Sequence, residues 1–146
     1  MVEDTIKATG EVQIKLYNPD GSVKSEQTIP NLVVTLGKNF IASRMVGTTP
    51  AVMSHMAVGA GTTAANAADT ALGSQLGIVT LTSGTATGAV ATYVASFPAG
   101  TGTGAVTEAG VFNASTSGTL LCRTVFSVVN KGSLDAMTIT WAITIS

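Results

Sequence analysis

Residues 137–145 constrain the fold most, because apolar and small side chains alternate there without interruption. The apolar positions are Met137, Ile139, Trp141, Ile143 and Ile145, and between them lie three threonines and one alanine. A period of two residues is that of a β-strand with one buried face and one solvent face. The pattern therefore predicts a strand that turns Trp141 into a core.

Further strands follow from the same alternation and from turn residues. Val12, Ile14 and Leu16 alternate with polar residues, and the Asn-Pro-Asp-Gly run at 18–21 is typical of a tight turn. A return strand is expected over 22–29, ending before Pro30, and a later turn at Ser83 and Gly84. Additional strands are predicted over 53–58, 78–81, 89–97, 105–112 and 120–129.

One helix is predicted, over 35–46. Thr35 can cap its N-terminus, and Gly37 weakens it. Its apolar face would consist of Leu36, Phe40, Ile41 and Met45. A single helical turn is also expected within 69–76, after a Gly/Thr/Ala-rich loop.

About eight strands and one short helix indicate a mainly-β fold, a β-sandwich or jelly-roll-like domain over 10–146. Residues 1–9 have no clear period and are interpreted as an N-terminal arm carrying Glu3, Asp4 and Lys7. The core is expected to contain Val12, Ile14, Leu16, Phe40, Ile41, Phe126, Ile139, Trp141 and Ile143.

Charge is scarce and unevenly placed. Charged residues are 10% of the chain, against roughly 25% in a typical soluble domain. From Met45 to Thr107 the one formal charge is Asp69. A net charge of −1 provides no basic field for nucleic acid and no polybasic patch for a membrane. The uncharged stretch predicts a surface covered by partners; a neutral, Thr-rich surface facing solvent is the alternative.

Few residues could support catalysis. His55 is the single histidine and Cys122 the single cysteine, so neither a zinc site nor a Ser/His/Asp site is indicated. We expect no enzyme activity, no metal and no cofactor. His55 is interpreted as a structural or interface residue, and Cys122 as a small buried one that faces away from Arg123. The segment 59–64 fits the glycine spacing of a dinucleotide-binding loop, but no crossover helix follows, which favours a flexible loop.

Glu108 and Arg123 are the most informative charges. If the chain turns between 113 and 118, residue numbers that sum to 231 lie opposite each other, which pairs Glu108 with Arg123 and Gly110 with Leu121. The spacing predicts a cross-strand ion pair that fixes the register and contributes up to about 1 kcal/mol. A catalytic carboxylate is the alternative, but no second carboxylate lies nearby in sequence.

Five segments together resemble small virion proteins of tailed bacteriophages and prophages. They are NLVVT at 31–35, MAVGAGTT at 56–63, DTAL at 69–72, TEAGVF at 107–112 and TITW at 138–141. The resemblance implies a non-enzymatic structural protein of the virion, assembled in the host bacterial cytoplasm. Proteins of this kind serve as capsid decoration or cement proteins, or as tail and fibre proteins.

A cement protein at capsomer junctions is favoured, because the chain has neither a sequence repeat nor the heptads of a fibre shaft. A tail, neck or tail-fibre protein is the alternative, and a carbohydrate-binding module a distant one. The expected partners are copies of the chain itself, as a trimer, and the major capsid protein or other virion proteins. The arm would reach a neighbour through Glu3, Asp4 and Lys7.

Overall fold

The computed structural model describes residues 5–47 and 50–146, and its fold is mainly β with one short helix. This confirms the predicted class. Within the described residues nine strands and one helix are present: β1 Ala8–Tyr17, β2 Val23–Val33, α1 Thr35–Met45, β3 His55–Gly59, β4 Gln75–Thr80, β5 Ser83–Thr87, β6 Val90–Phe97, β7 Gly104–Phe112, β8 Leu120–Lys131 and β9 Ala136–Ile145.

Three of these elements correct the sequence interpretation. Ser83 and Gly84 begin a strand, β5, where a turn was expected. The helical turn expected within 69–76 is absent: residues 69–74 have no regular secondary structure, and β4 begins at Gln75. Strand β1 begins at Ala8, inside the range assigned to the arm.

All strand pairs are antiparallel and form one curled sheet in the order β4-β3-β7-β8-β2-β1-β9-β6-β5. Strand β2 joins two halves of this sheet, one formed by β4, β3, β7 and β8 and the other by β1, β9, β6 and β5. Its residues from Val23 to Asn31 pair with β1, whereas Leu32 and Val33 pair with β8. The strand therefore continues through Pro30, where the sequence predicted its end. Proline is tolerated there because Pro30 has a ladder partner on β1 and none on β8.

The core lies between the two halves of the sheet. It contains Val12, Ile139 and Trp141 from one half and Met56, Val58 and Val111 from the other. Seven of the nine predicted core residues are buried, Trp141 completely. Phe40 and Ile41 are only partly buried, and they pack against the edge of this core.

The helix contacts the sheet through a glycine and through half of the predicted apolar face, Phe40 and Ile41. Met45 is 80% exposed and Leu36 is also exposed, whereas Gly37 is the buried residue of α1. A methyl group at Gly37 would overlap the carbonyl oxygen of Leu121 on β8. The predicted cap is also wrong: the N-cap residue is Val34, and no side chain caps the helix. Absence of a side chain at position 37 is therefore what allows α1 to approach β8.

Candidate functional site

Glu108 and Arg123 meet on the outer face of β7 and β8, although not in the predicted register. Arg123 lies opposite Gly110, and Glu108 lies opposite Val125. The pairing begins one residue later than expected, and an irregularity between Val111 and Phe112 shifts it further. The charged groups nevertheless touch: Arg123 Nη2 is 3.0 Å and Nε is 3.1 Å from Glu108 Oε1. The predicted ion pair is confirmed and the predicted register is wrong.

The Glu108 carboxylate is completely buried and saturated with donors. Besides Arg123, it accepts backbone N–H groups from Gly61 at 2.6 Å, Gly73 at 2.7 Å and Ser74 at 2.8 Å. Burial raises the pKa of this carboxyl, but the three N–H donors and the guanidinium outweigh burial and hold the pKa below its ordinary value. Glu108 is therefore ionised in the folded protein at neutral pH.

The Arg123 guanidinium is equally engaged. Its Nη1 donates to Asp69 Oδ2 at 2.9 Å, and its Nη2 also donates to the carbonyl oxygen of Thr63 at 3.0 Å. Only 3% of its side chain is exposed. All three guanidinium nitrogens thus have acceptors within the group formed by Glu108, Arg123 and Asp69, here called the Glu108–Arg123 cluster.

The cluster fastens the segment 59–74 onto the sheet. Leu72 of this segment packs over Ala57, Phe112 and Leu120, which form a small second core on the outer face. The carbonyl oxygen of Ala67 also accepts the backbone N–H of Thr35 at the start of α1. The segment is therefore bonded to β7, β8 and α1, although it has no regular secondary structure between the end of β3 and the start of β4.

The glycines of the dinucleotide-like pattern have a structural explanation. A methyl group at Gly59 or Gly61 would overlap the Glu108 carboxylate. Glycine is required there so that the backbone can approach this carboxylate closely. The glycine spacing therefore serves a side chain of the protein itself and gives no support to a phosphate site.

The chemistry open to this cluster is limited by its burial. A groove of about 310 Å³ beside it is lined by Asn31, Thr62, Ala64 and Arg123 among others. Since the guanidinium nitrogens already donate within the cluster, Arg123 has little capacity left for an anion in that groove. The arrangement can hold the segment 59–74 in place.

A second buried polar group was not predicted. Lys131 is 2% exposed, and its ammonium donates to the carbonyl oxygens of Pro98 at 2.9 Å and Asp135 at 2.7 Å. Burial lowers the pKa of Lys131, and the nearby Asp135 carboxylate opposes that shift. Asp135 itself accepts from Gly132 N–H and pairs with Lys24 at 3.1 Å. In a chain with few charges, the spacing of four residues between Lys131 and Asp135 is the sequence signal that could have indicated this contact.

His55 and Cys122 are both engaged within the fold. His55 is partly buried, with its Nδ1 2.8 Å from the Ser54 hydroxyl and its Nε2 3.4 Å from the Thr80 hydroxyl. Cys122 is fully buried, as predicted, and burial raises the pKa of its thiol. Throughout the described ranges, no group of three or more His, Cys, Asp and Glu side chains could hold a metal ion.

The predicted interface residues have different outcomes. Trp141 lies in the core and is not exposed to a partner. Glu3 and Asp4 lie outside the described residues. Lys7 is exposed, and its backbone exchanges hydrogen bonds with Ser146 at 2.7 and 2.9 Å, which continues the pairing of β1 with β9. Pairing of its side chain with a neighbour stays a prediction.

Comparisons with protein-family models, with curated proteins and with solved structures each give no match. In the described part of the chain, α1 falls short of the length and apolar character needed to cross a membrane. The resemblance to phage virion proteins therefore stays a prediction.

Proposed function

We propose that this chain is a non-enzymatic structural protein of a tailed-phage virion, and more specifically a capsid decoration or cement protein. One observation carries the proposal. The single formal charge between Met45 and Thr107, Asp69, is bonded to Arg123 instead of being left free on the surface. The described residues of this long stretch therefore present no unpaired formal charge to their surroundings.

Such a surface suits contact with other proteins. Burying an ion requires the removal of its water shell, and that cost is absent where no free ion exists. Large apolar side chains are exposed in the same stretch: Met45, Val46, Val52 and Leu76. A protein that stays monomeric usually keeps charges on its surface for solubility. These features support a chain that works while covered by neighbours.

The non-enzymatic part of the proposal is supported by the contacts of the reactive groups. Glu108 and Arg123 are buried and bonded to each other, Lys131 is bonded to backbone carbonyls, and Cys122 is buried with a raised thiol pKa. A general acid, base or nucleophile must reach its substrate. These groups instead stabilise loops and core.

The resemblance supports a virion component, and the compact single sheet without a fibre repeat supports the shell over the tail. In this proposal the partners are the major capsid protein and copies of the chain, and assembly takes place in the host bacterial cytoplasm. The trimeric state stays a prediction, suited to the local three-fold positions of an icosahedral shell.

The test is quantitative mass spectrometry of gradient-purified particles, separated into tail-less capsids and free tails. The proposal expects the chain in capsid fractions, at a copy number that scales with the major capsid protein. Recovery with free tails alone would replace the cement role with a tail role. Absence from every particle fraction would contradict both.

A further inference from the structure

Strand β5 forms one end of the sheet and has an unusually open edge. Within the described residues it pairs with β6 alone, and all five of its residues, Ser83 to Thr87, are exposed. One side of its backbone therefore has N–H and C=O groups without a strand partner. Such an edge is a template for the addition of another strand.

The usual protections of an edge strand are missing from β5. Its sequence, SGTAT, contains neither a charged residue nor proline, and its pairing with β6 has no bulge. Natural proteins block exposed edges with lysine, proline or bulges, so an unprotected edge indicates a strand that is paired in the working assembly.

A mainly apolar groove adjoins this strand. It measures about 310 Å³ and is lined by Phe40, Val52, Met53, Ala91 and Tyr93, by the charged Arg44 of α1, and by β5 residues 84–86. Val52 is 58% exposed. Backbone groups that need partners thus lie beside apolar surface that gains from being covered, the combination found where a strand adds to a sheet.

We propose that β5 pairs antiparallel with β5 of a second copy of this chain, about a two-fold axis at Thr85. The inference rests on the proposed function for its setting, an assembly of many copies, and adds the contact between copies. A two-fold contact of this kind is closed, so it produces a dimer or joins two trimers into a hexamer.

The composition of β5 favours a second copy as the occupant. In the two-fold register Thr85 lies opposite Thr85, Ser83 opposite Thr87, and Gly84 opposite Ala86. Hydroxyl side chains opposite each other stabilise a strand pair, and like charges opposite each other destabilise it. The pairing brings together hydroxyls and small side chains, without any charge.

The size of the strand sets the strength of the contact. Five residues bury less than the roughly 800 Å² per partner of a stable protein–protein interface. The pairing is therefore concentration-dependent in solution and is strengthened where copies are held close together on a particle. A covalent trap is the suitable assay.

The first experiment is oxidation of the Thr85→Cys variant of the full chain. Side chains directly opposite on antiparallel strands have Cβ atoms about 4.5–5.5 Å apart, near enough for a disulfide after a small shift. The native Cys122 is buried and does not compete. We expect a disulfide-linked dimer, and none from Thr92→Cys, the position opposite Thr85 on β6.

The second experiment tests the register. Ser83→Cys and Thr87→Cys should each stay monomeric when oxidised alone and should form a mixed disulfide dimer when combined. Equal cross-linking of each variant with itself would indicate random collision and would overturn the proposal. Failure of both Thr85→Cys and the mixed pair to cross-link would overturn it as well.

A charge variant separates this inference from the proposed function. Thr85→Lys places like charges opposite each other and should abolish concentration-dependent dimerisation in light scattering, whereas Thr116→Lys in the β7–β8 loop should not. If cross-linking fails while the chain still co-purifies with capsids, the inference is wrong and the function stands. If cross-linking succeeds and the chain is absent from particles, the inference stands and the function is wrong.

Discussion

Arg123 lies directly opposite Gly110, yet it donates two hydrogen bonds to Glu108, which lies two residues earlier on β7. A diagonal contact of this length is within reach of an arginine side chain. Both residues are buried under the segment 59–74, whose backbone supplies the remaining donors to the carboxylate. The pair therefore holds that segment on the sheet, in addition to joining β7 and β8.

Glu108→Ala should cost about 3–5 kcal/mol of unfolding free energy, because Arg123 would be left as a buried charge with one carboxylate removed. That exceeds the roughly 1 kcal/mol expected of an ordinary cross-strand pair. Denaturant unfolding measures the difference. Glu26→Ala removes a carboxylate from an exposed hydrogen bond with Gln13 and is the control, expected to change stability by less than about 0.5 kcal/mol. Equal effects of the two substitutions would contradict the fastening role.

The contribution of Glu108 should disappear in acid. Its folded-state pKa lies below the ordinary value of 4.5, so its stabilising effect is complete above that pH and is lost as pH falls through the lower folded-state value. The stability difference between wild type and Glu108→Gln, measured by urea unfolding across this range, should therefore shrink toward low pH. Taking the difference removes the titration of Asp20 and Asp135, which both proteins share. A difference that is constant with pH would contradict the assignment.

Gly37→Ala should destabilise the protein, although alanine is favoured over glycine in a helix by about 1 kcal/mol. The added methyl group overlaps the Leu121 carbonyl, and α1 must move away from β8 to admit it. Thermal unfolding followed by circular dichroism measures the effect. Lys38→Ala, at the exposed next position, is the control and should leave the melting temperature nearly unchanged. A rise in melting temperature for Gly37→Ala would show that α1 does not pack as described.

These cases also show what the sequence could predict. Alternation over Val12 to Leu16 and over Met137 to Ile143 identified β1 and β9, because one face of each strand is buried. Strand β5 carries no such signal, since all its residues are exposed. Gly37 was interpreted as a weak point of the helix, because its contact with Leu121 is made between residues far apart in sequence.

Only part of the candidate site was predictable, because its charges are visible in the sequence and its long-range contacts are not. The opposite charges of Glu108 and Arg123 in a neutral region indicated a pair. The strand irregularity at Val111 and the late start of pairing at Leu120 have no sequence signal, so the register was wrong by two residues. The backbone donors to Glu108 come from a segment whose position depends on the whole sheet.

Introducing a charge into the uncharged surface should impair attachment to particles without affecting the fold. Val46→Lys changes a residue that is 78% exposed within this surface, and Val128→Lys is the matched control on β8, 52% exposed and outside it. We expect about tenfold fewer copies per particle for Val46→Lys, the effect of about 1.4 kcal/mol, and no loss for Val128→Lys. Both variants should keep the wild-type melting temperature. Equal attachment of the two variants would show that this part of the surface is not the contact.

The central claim is that the chain decorates the shell of a virion, and a cryo-electron microscopy reconstruction of the particle tests it most directly. Wild-type particles should be compared with particles that lack this chain. The account predicts extra density on the outer capsid surface at capsomer junctions, into which the nine-stranded sheet fits, and its loss from the deletion particles. Identical capsid surfaces in the two reconstructions, with the difference confined to the tail or absent altogether, would contradict it.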